Sequence, residues 1–316
     1  MSEKNTQKIS WLFISAFVIL FSSCSDDPSY SGEIPELPAL EYESISGTYN
    51  TESDEISSVE LTPDGKFLAD RGWSLDLEIA GRREATESPE PFYKSTPCLF
   101  GDIVKVSDTH YELPGLGSMV LNEKGKISIT YTDEKGESKT IEGKRYPKGK
   151  MSELDRAVCR TWNLSKISFS LTVDDEQIFN TVCDPREIWT ALTQHYSKLA
   201  EYVNSGNPSS EYIPKEYKED CYPASITLTR SSYIVTYKDM LDSSVSGCGI
   251  ADWKWYNEKE GVIYYLWLYN NKFTYGFNNM RIRFEGNTMI LSEWDLVYLP
   301  GYHVIERTEY YCTLPI

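Results

Sequence analysis

Residues 280–291 read Met-Arg-Ile-Arg-Phe-Glu-Gly-Asn-Thr-Met-Ile-Leu. Met280, Ile282 and Phe284 alternate with Arg281, Arg283 and Glu285. A period of two places the apolar side chains on one face of a strand and the charged ones on the other. Gly286-Asn287 supplies a tight turn, and Met289 to Leu291 begins the partner strand. This is an antiparallel hairpin with one buried face and one wet face.

The same pattern recurs along the chain. Val59 and Leu61, the turn Pro63-Asp64-Gly65 and then Phe67 form a second hairpin signal. From Lys126 to Thr132, Ile127, Ile129 and Tyr131 share one face. Residues 87–97 carry Pro89, Pro91 and Pro97 and read as a long loop. Two helices interrupt the strands. Asp184 is a suitable N-cap and Pro185 suits the first helical position. Ile188, Leu192, His195, Leu199 and Tyr202 or Val203 recur at helical spacing up to Gly206, which predicts a helix over about 185–205. Ser152 and Asp155 fit a capping box that opens a shorter helix, running to Val158.

Pro147-Lys148-Gly149-Lys150 divides the chain into domains at 45–147 and 152–316. The two halves echo each other in order. Gly47-Thr48-Tyr49-Asn50 matches Arg160-Thr161-Trp162-Asn163, and Val59-Glu60-Leu61-Thr62 matches Ile226-Thr227-Leu228-Thr229. Met119-Val120-Leu121-Asn122 matches Met289-Ile290-Leu291-Ser292, and Ile141-Glu142 with Tyr146 matches Ile305-Glu306 with Tyr310. Each half resembles the lipocalin-like modules of Bacteroidetes lipoproteins, which open on a Gly-x-Trp strand and close into a small barrel. Here Arg160 stands at the glycine position of the second half, and Tyr49 at the tryptophan position of the first. The resemblance implies a mainly β protein of two tandem antiparallel barrels or rolled sheets, the second with one inserted helix. It also implies a basic residue of the last strand over the opening aromatic ring: Arg307 over Trp162, and Lys144 or Arg145 over Tyr49.

The first 23 residues read as a secretory signal. Lys4 and Lys8 precede an eleven-residue run from Trp11 to Phe21, apolar apart from Ser15 and too short to span a membrane. Ser22, Ser23 and then Cys24 resemble the lipobox of bacterial lipoproteins, with Phe21 where that family usually has Leu. The resemblance implies cleavage before Cys24 and a diacylglyceryl group on its thiol. Ser25, Asp26 and Asp27 resemble the acidic export signal of Bacteroidetes lipoproteins, which implies the outer membrane and its cell-surface side. Residues 24–44 carry Pro28, Pro35 and Pro38 and six carboxylates without a Lys or Arg. Such a segment is expected to be an extended, solvated tether reaching roughly 60 Å.

The chain of 316 residues has a formal net charge of −17. Removing Glu3, Lys4 and Lys8 with the signal leaves −18. That surface repels phosphate backbones and anionic headgroups, so no nucleic acid is expected as a partner and the lipid is the expected membrane contact. Besides Cys24, six cysteines remain. Six allow 15 pairings, among which Cys183 with Cys221 and Cys159 with Cys312 are candidates. No Cys or His spacing fits a metal site, no cofactor motif appears, and no nucleophile elbow or zincin signature marks an enzyme.

The most distinctive part of the body is aromatic. Trp253 and Trp255 share a strand face, opposite Asp252 and Lys254. From Val262 onward, Val262, Tyr264, Leu266 and Leu268 lie on one face, and Ile263, Tyr265, Trp267 and Tyr269 on the other. The aliphatic face suits a core. The aromatic face requires a covering, which the helix, the first domain or a stacked ligand can each supply. The expected function is therefore a surface lipoprotein that binds a small apolar molecule or a glycan. The alternative is a non-catalytic scaffold that docks on another envelope protein.

Overall fold

The computed structural model describes residues 30–53, 55–70, 98–122, 125–133, 135–146, 151–206, 212–214, 216–217, 219–269, 272–273 and 278–315, without the side chains of residues 70, 98, 267–269, 272–273 and 298. The signal, Cys24, the start of the tether and the proline-rich loop 87–97 lie outside the described residues.

The first domain contains β1 (Gly47–Thr51), β2 (Ser58–Leu61), β3 (Lys66–Asp70), β4 (Cys98–Asp102), β5 (Val104–Lys105), β6 (His110–Leu113), β7 (Gly117–Asn122), β8 (Lys126–Thr132) and β9 (Ser138–Arg145). They form one sheet in the order β4-β3-β2-β1-β9-β8-β7-β6-β5. Its two edge strands, β4 and β5, are one segment of chain bent at Ile103, so the barrel is nearly closed. Tyr49, Val59, Phe67, Met119, Ile127 and Ile129 fill its interior.

Ser152 and Asp155 cap a short helix, α1 (Glu153–Val158), through the reciprocal bonds of a capping box. The second domain then runs β10 (Thr161–Val173), β11 (Glu176–Cys183), α2 (Ile188–Gly206), β12 (Cys221–Leu228), β13 (Ser232–Asp239), β14 (Val245–Asn257), β15 (Val262–Tyr269), the short β16 (Lys272–Phe273), β17 (Asn278–Glu285), β18 (Thr288–Leu299) and β19 (Tyr302–Thr313). The hairpin read from residues 280–291 is β17–β18, with Ile282 opposite Leu291. Eight strands, β10-β12-β13-β14-β15-β17-β18-β19, pair in turn, and β19 returns to β10 from Thr313↔Asn163 to Val304↔Val173. This barrel is closed. β11 is an extra strand that folds back on the upper part of β10.

The internal echo is visible in three dimensions, with one correction. The first two sequence matches pair β1 with β10 and β2 with β12, and the last pairs β9 with β19. The third match, Met119–Asn122 with Met289–Ser292, joins β7 to β18 and is one strand out of step. β18 forms the final hairpin with β19 as β8 does with β9, so β8 is its counterpart. The opening aromatics are equivalent. The Tyr49 hydroxyl donates to the Ile45 carbonyl at 2.7 Å, and Trp162 Nε1 donates to the Val158 carbonyl at 3.2 Å. Each ring is buried and bonded to the carbonyl four residues upstream, in the turn before β1 and at the end of α1, so it ties that segment to its barrel.

Among the described residues neither opening ring carries the expected cation over its face. Arg145 lies opposite Tyr49 and donates to the carbonyls of Ser44 and Ser46. It also covers Gly47, whose φ of +141° suits glycine and where a Cβ would lie 2.9 Å from Arg145 Nε. Arg307 is not over Trp162. The register sets it opposite Ser170 and Trp294, on the outer face, where it pairs with Glu309 at 2.7 Å. Phe284 takes the place beside Trp162, with ring centroids 6.0 Å apart.

Both candidate disulfides fail in this structure, in which Cys183 and Cys312 are free thiols. Register explains one case. Leu164 lies opposite Cys312, whereas Cys159 sits five residues earlier as the C-cap of α1, with Sγ 3.4 Å from the Thr229 carbonyl. Cys183 and Cys221 do share the core of the second barrel, where burial pushes the Cys183 thiol up to about 11.

The tether also departs from expectation. Residues 30–40 are extended and largely exposed, as expected, but Tyr30, Ile34 and Leu37 pack against the second barrel. Ser31 N donates to the Lys259 carbonyl at 2.9 Å, and the Tyr30 hydroxyl to that of Ile282 at 3.3 Å. This strap crosses the foot of the second barrel before the chain enters the first. The prolines that prevent a helix leave Ile34 and Leu37 free to pack as an extended ribbon. Side by side, the barrels share a small apolar contact of Leu68, Ile234 and Ile250. Glu60 of the first accepts the hydroxyls of Thr229 and Ser231 of the second.

Truncating Trp162 to Ala removes a fully buried indole and its bond, and is expected to cost about 3–5 kcal/mol. Tyr49→Phe removes one buried hydroxyl bond and is expected to cost about 1 kcal/mol. Urea unfolding checks both. Equal, negligible losses would contradict the tying role given to these rings.

Candidate functional site

The interior of the second barrel is not completely filled. A cavity of about 120 Å³ lies beneath the start of α2, lined in part by Leu164, Ile188, Trp189, Tyr233, Val235, Tyr265, Glu293 and Tyr310. Its position follows from a fork in the wall. Along one edge, β10 pairs with β12 only at Thr161–Asn163 and with β11 from Ile167 onward. Between the two partners the wall parts, and Ile188 and Trp189 line the cavity on that side. Trp189 Nε1 donates to the Cys221 carbonyl at 2.5 Å, tying α2 to the edge of β12 that β10 leaves unpaired.

α2 continues across the mouth. Leu199 and Val203 pack on Leu171, Val173 and Val304 in a second small core. Midway, His195 Nε2 lies 3.2 Å from Glu306 Oε1, and the Tyr196 hydroxyl donates to Glu306 Oε2 at 3.2 Å. The helix thus covers the long strands β10 and β11 and the mouth of the barrel. It does not cover β15.

Glu293 is the acidic group of the cavity lining. It lies on the core face of β18, at the parity of Met289 and Leu291. The Tyr265 hydroxyl donates to its Oε1 at 2.5 Å, and the Tyr310 hydroxyl to its Oε2 at 3.3 Å. The rings of Tyr233 and Tyr265 are 5.6 Å apart. Burial pushes the Glu293 carboxyl up to about 7, against the lowering effect of the Tyr265 bond, and Asp295 adds to the rise. Burial likewise holds the hydroxyls of Tyr233, Tyr265 and Tyr310 well above their ordinary range, so they remain donors.

The two faces of β15 exchange the roles assigned to them. Ile263 and Tyr265 are buried in the barrel core, while Val262, Tyr264 and Leu266 are only partly buried outside it. Both faces are apolar, so the sequence could not say which one the barrel encloses. Tyr265 lies on the cavity wall. Trp253 and Trp255 instead sit at the foot of the barrel, where their indoles donate to the Thr229 carbonyl at 3.0 Å and to Asp155 Oδ1 at 2.8 Å. The side chains of Trp267 and Tyr269 lie outside the described residues. Sequence reading missed Glu293, Tyr233 and Tyr310. The available signal was a carboxylate at the core parity of β18, directly after Met289 and Leu291.

No protein-family model matches the chain, and no curated protein matches it in sequence. Among the described residues no helix is long and apolar enough to cross a membrane, and no three acidic, thiol or imidazole groups converge as metal ligands do.

The folded protein holds the Glu293 proton more firmly than the unfolded chain, since the folded value of about 7 exceeds the ordinary 4.5. Stability from this group is therefore full below pH 4.5 and is lost as pH rises through about 7. Glu293→Gln is expected to remove that decline and to be the more stable form at pH 8, by up to about 3 kcal/mol. Urea unfolding across the pH range reads it. An unchanged pH profile in the variant would contradict the burial argument.

Proposed function

We propose that the protein is a lipid-anchored envelope protein of the outer membrane, displayed at the cell surface, whose second barrel captures a small molecule. The observation that carries this reading is the cavity under α2, with two tyrosine hydroxyls converging on one carboxyl in an otherwise apolar chamber. Binding sites combine an apolar lining with a few placed polar groups in this way. At about 120 Å³ the chamber is below the roughly 300–1,000 Å³ typical of drug-sized ligands. The guest is accordingly a small molecule of a few heavy atoms rather than a glycan.

The anchor fits the same reading. The Ser22-Ser23-Cys24 sequence after an apolar run supports cleavage and lipidation at Cys24. Cys24 precedes Tyr30 by six residues, a reach of about 20 Å when extended. Because the strap is bound to the foot of the second barrel, the lipid would hold that foot toward the membrane. The lidded mouth would then face away from it. The docking alternative draws on Trp294 and Leu296, which are exposed on the outer face of β18 at 47% and 72%. Two such side chains make a modest patch.

Cys24→Ser is expected to abolish both palmitate incorporation and sedimentation with membranes. Retained labelling would refute the anchor. For the chamber, thermal shift against small polar–apolar compounds is expected to give hits that Val235→Phe removes by filling the cavity. A ligand at 100 times its Kd stabilises by about 2.7 kcal/mol. Hits that persist in Val235→Phe would place binding elsewhere.

A further inference from the structure

We infer that the guest of this chamber is a small primary ammonium ion, held by Glu293 and by the aromatic rings around it. The inference rests on the capture reading above and names the chemistry of the ligand.

Charge is the first reason. The groups facing Glu293 are tyrosine hydroxyls, Thr308 opposite it on β19, and carboxylates nearer the mouth. Asp295 follows two residues later on the same face of β18, directly opposite Glu306. α2 contributes His195, which is engaged with Glu306. The neighbouring arginines are on the outside: Arg283 and Arg307 both pair with Glu309. Glu293 and Glu306 lie on the inward face of this wall, with Asp295 exposed at its mouth, and among the described residues no Lys or Arg pairs with any of the three. A carboxylate buried without a countercharge is costly. An entering cation supplies that countercharge, and an entering anion or second acid does not.

Hydrogen bonding is the second. Tyr265 and Tyr310 each donate one bond, to different oxygens of Glu293. A carboxylate has about four acceptor positions, so each oxygen retains one. These suit the several N–H donors of a primary ammonium. The tyrosine hydroxyls hold the carboxyl still without satisfying it.

Shape is the third. Tyr233, Tyr265, Tyr310 and Trp189 present aromatic surface to the same space, and such rings attract a cation through their negative faces. Leu164 and Val235 supply the aliphatic wall for an alkyl chain. A dry cavity of about 150 Å³ accepts a benzene-sized guest. A chamber of about 120 Å³ therefore suits a body of about five or six heavy atoms. A metal ion is a poorer fit, since no three ligand groups converge among the described residues.

The test is calorimetric titration of the full chain at pH 7.5 with n-butylamine and with 1-butanol, which has the same size and no charge. The expected result is at least tenfold tighter binding of the amine, with the preference lost in Glu293→Gln and all binding lost in Val235→Phe. Equal or tighter binding of the alcohol, removed by Val235→Phe, would overturn the ammonium inference and leave the chamber a ligand site. Failure of both compounds to bind would overturn the inference and count against the capture reading itself. Because the amine and the alcohol are compared on the wild-type chain, the result does not depend on how either variant folds.

Discussion

The second half of the molecule depends on the pairing of its first strand with its last. β10 and β19 are in register from Asn163↔Thr313 to Val173↔Val304, and this ladder closes the ring. A slip of one residue would turn Ile167, Phe169 and Leu171 outward and Ser168 and Ser170 inward, so the hydrophobic pattern fixes the register strongly. Closure leaves β10 with one remaining edge, which it shares between β12 and β11. The fork between them, the position of α2 and the cavity beneath Trp189 all follow from that division.

The chamber exchanges stability for chemistry. A leucine in place of Glu293 would continue the sequence of Met289 and Leu291 into the core. Instead, a carboxyl is held there by two tyrosines and driven toward its neutral form by burial. Groups that deviate from the local packing rule without an evident structural gain are expected at functional sites. The first barrel provides the contrast. Its corresponding interior is occupied by Phe67, Leu113, Met119, Ile127 and Ile129. Among the described residues, the two barrels thus differ in that the second places a carboxyl on the wall of an interior cavity.

Much of this fold was legible in the sequence because its strands alternate cleanly. Met280–Glu285, Lys126–Thr132 and the hairpin around Pro63-Asp64-Gly65 each formed as their periods require. The caps at Ser152 and Asp184 were equally readable, since each depends on a local side-chain bond. The failures came where local pattern does not determine distance or direction. Met119–Asn122 resembles Met289–Ser292 because inward strands reuse the same residue types, not because they hold the same place. Both faces of β15 are apolar, so only the closed barrel decides that Tyr265 points inward. Cys312 lies on the strand that pairs with β10, but Cys159 ends α1 before that strand begins, five residues short of the position opposite Cys312. The acidic, proline-broken strap read as a free tether because its charge outweighs Tyr30, Ile34 and Leu37 in composition, yet those side chains dock an otherwise exposed ribbon on the second barrel.

On the proposed reading, the foot of the second barrel would face the membrane and the lidded chamber would hold a small guest away from it. Native mass spectrometry of the full chain, isolated from its own membranes without denaturation, tests this most directly. The account predicts one small-molecule adduct per chain, of about the mass of five or six heavy atoms, absent from a variant whose chamber is filled. A mass equal to lipidated protein alone in every preparation, or the same adduct in the filled variant, would contradict it.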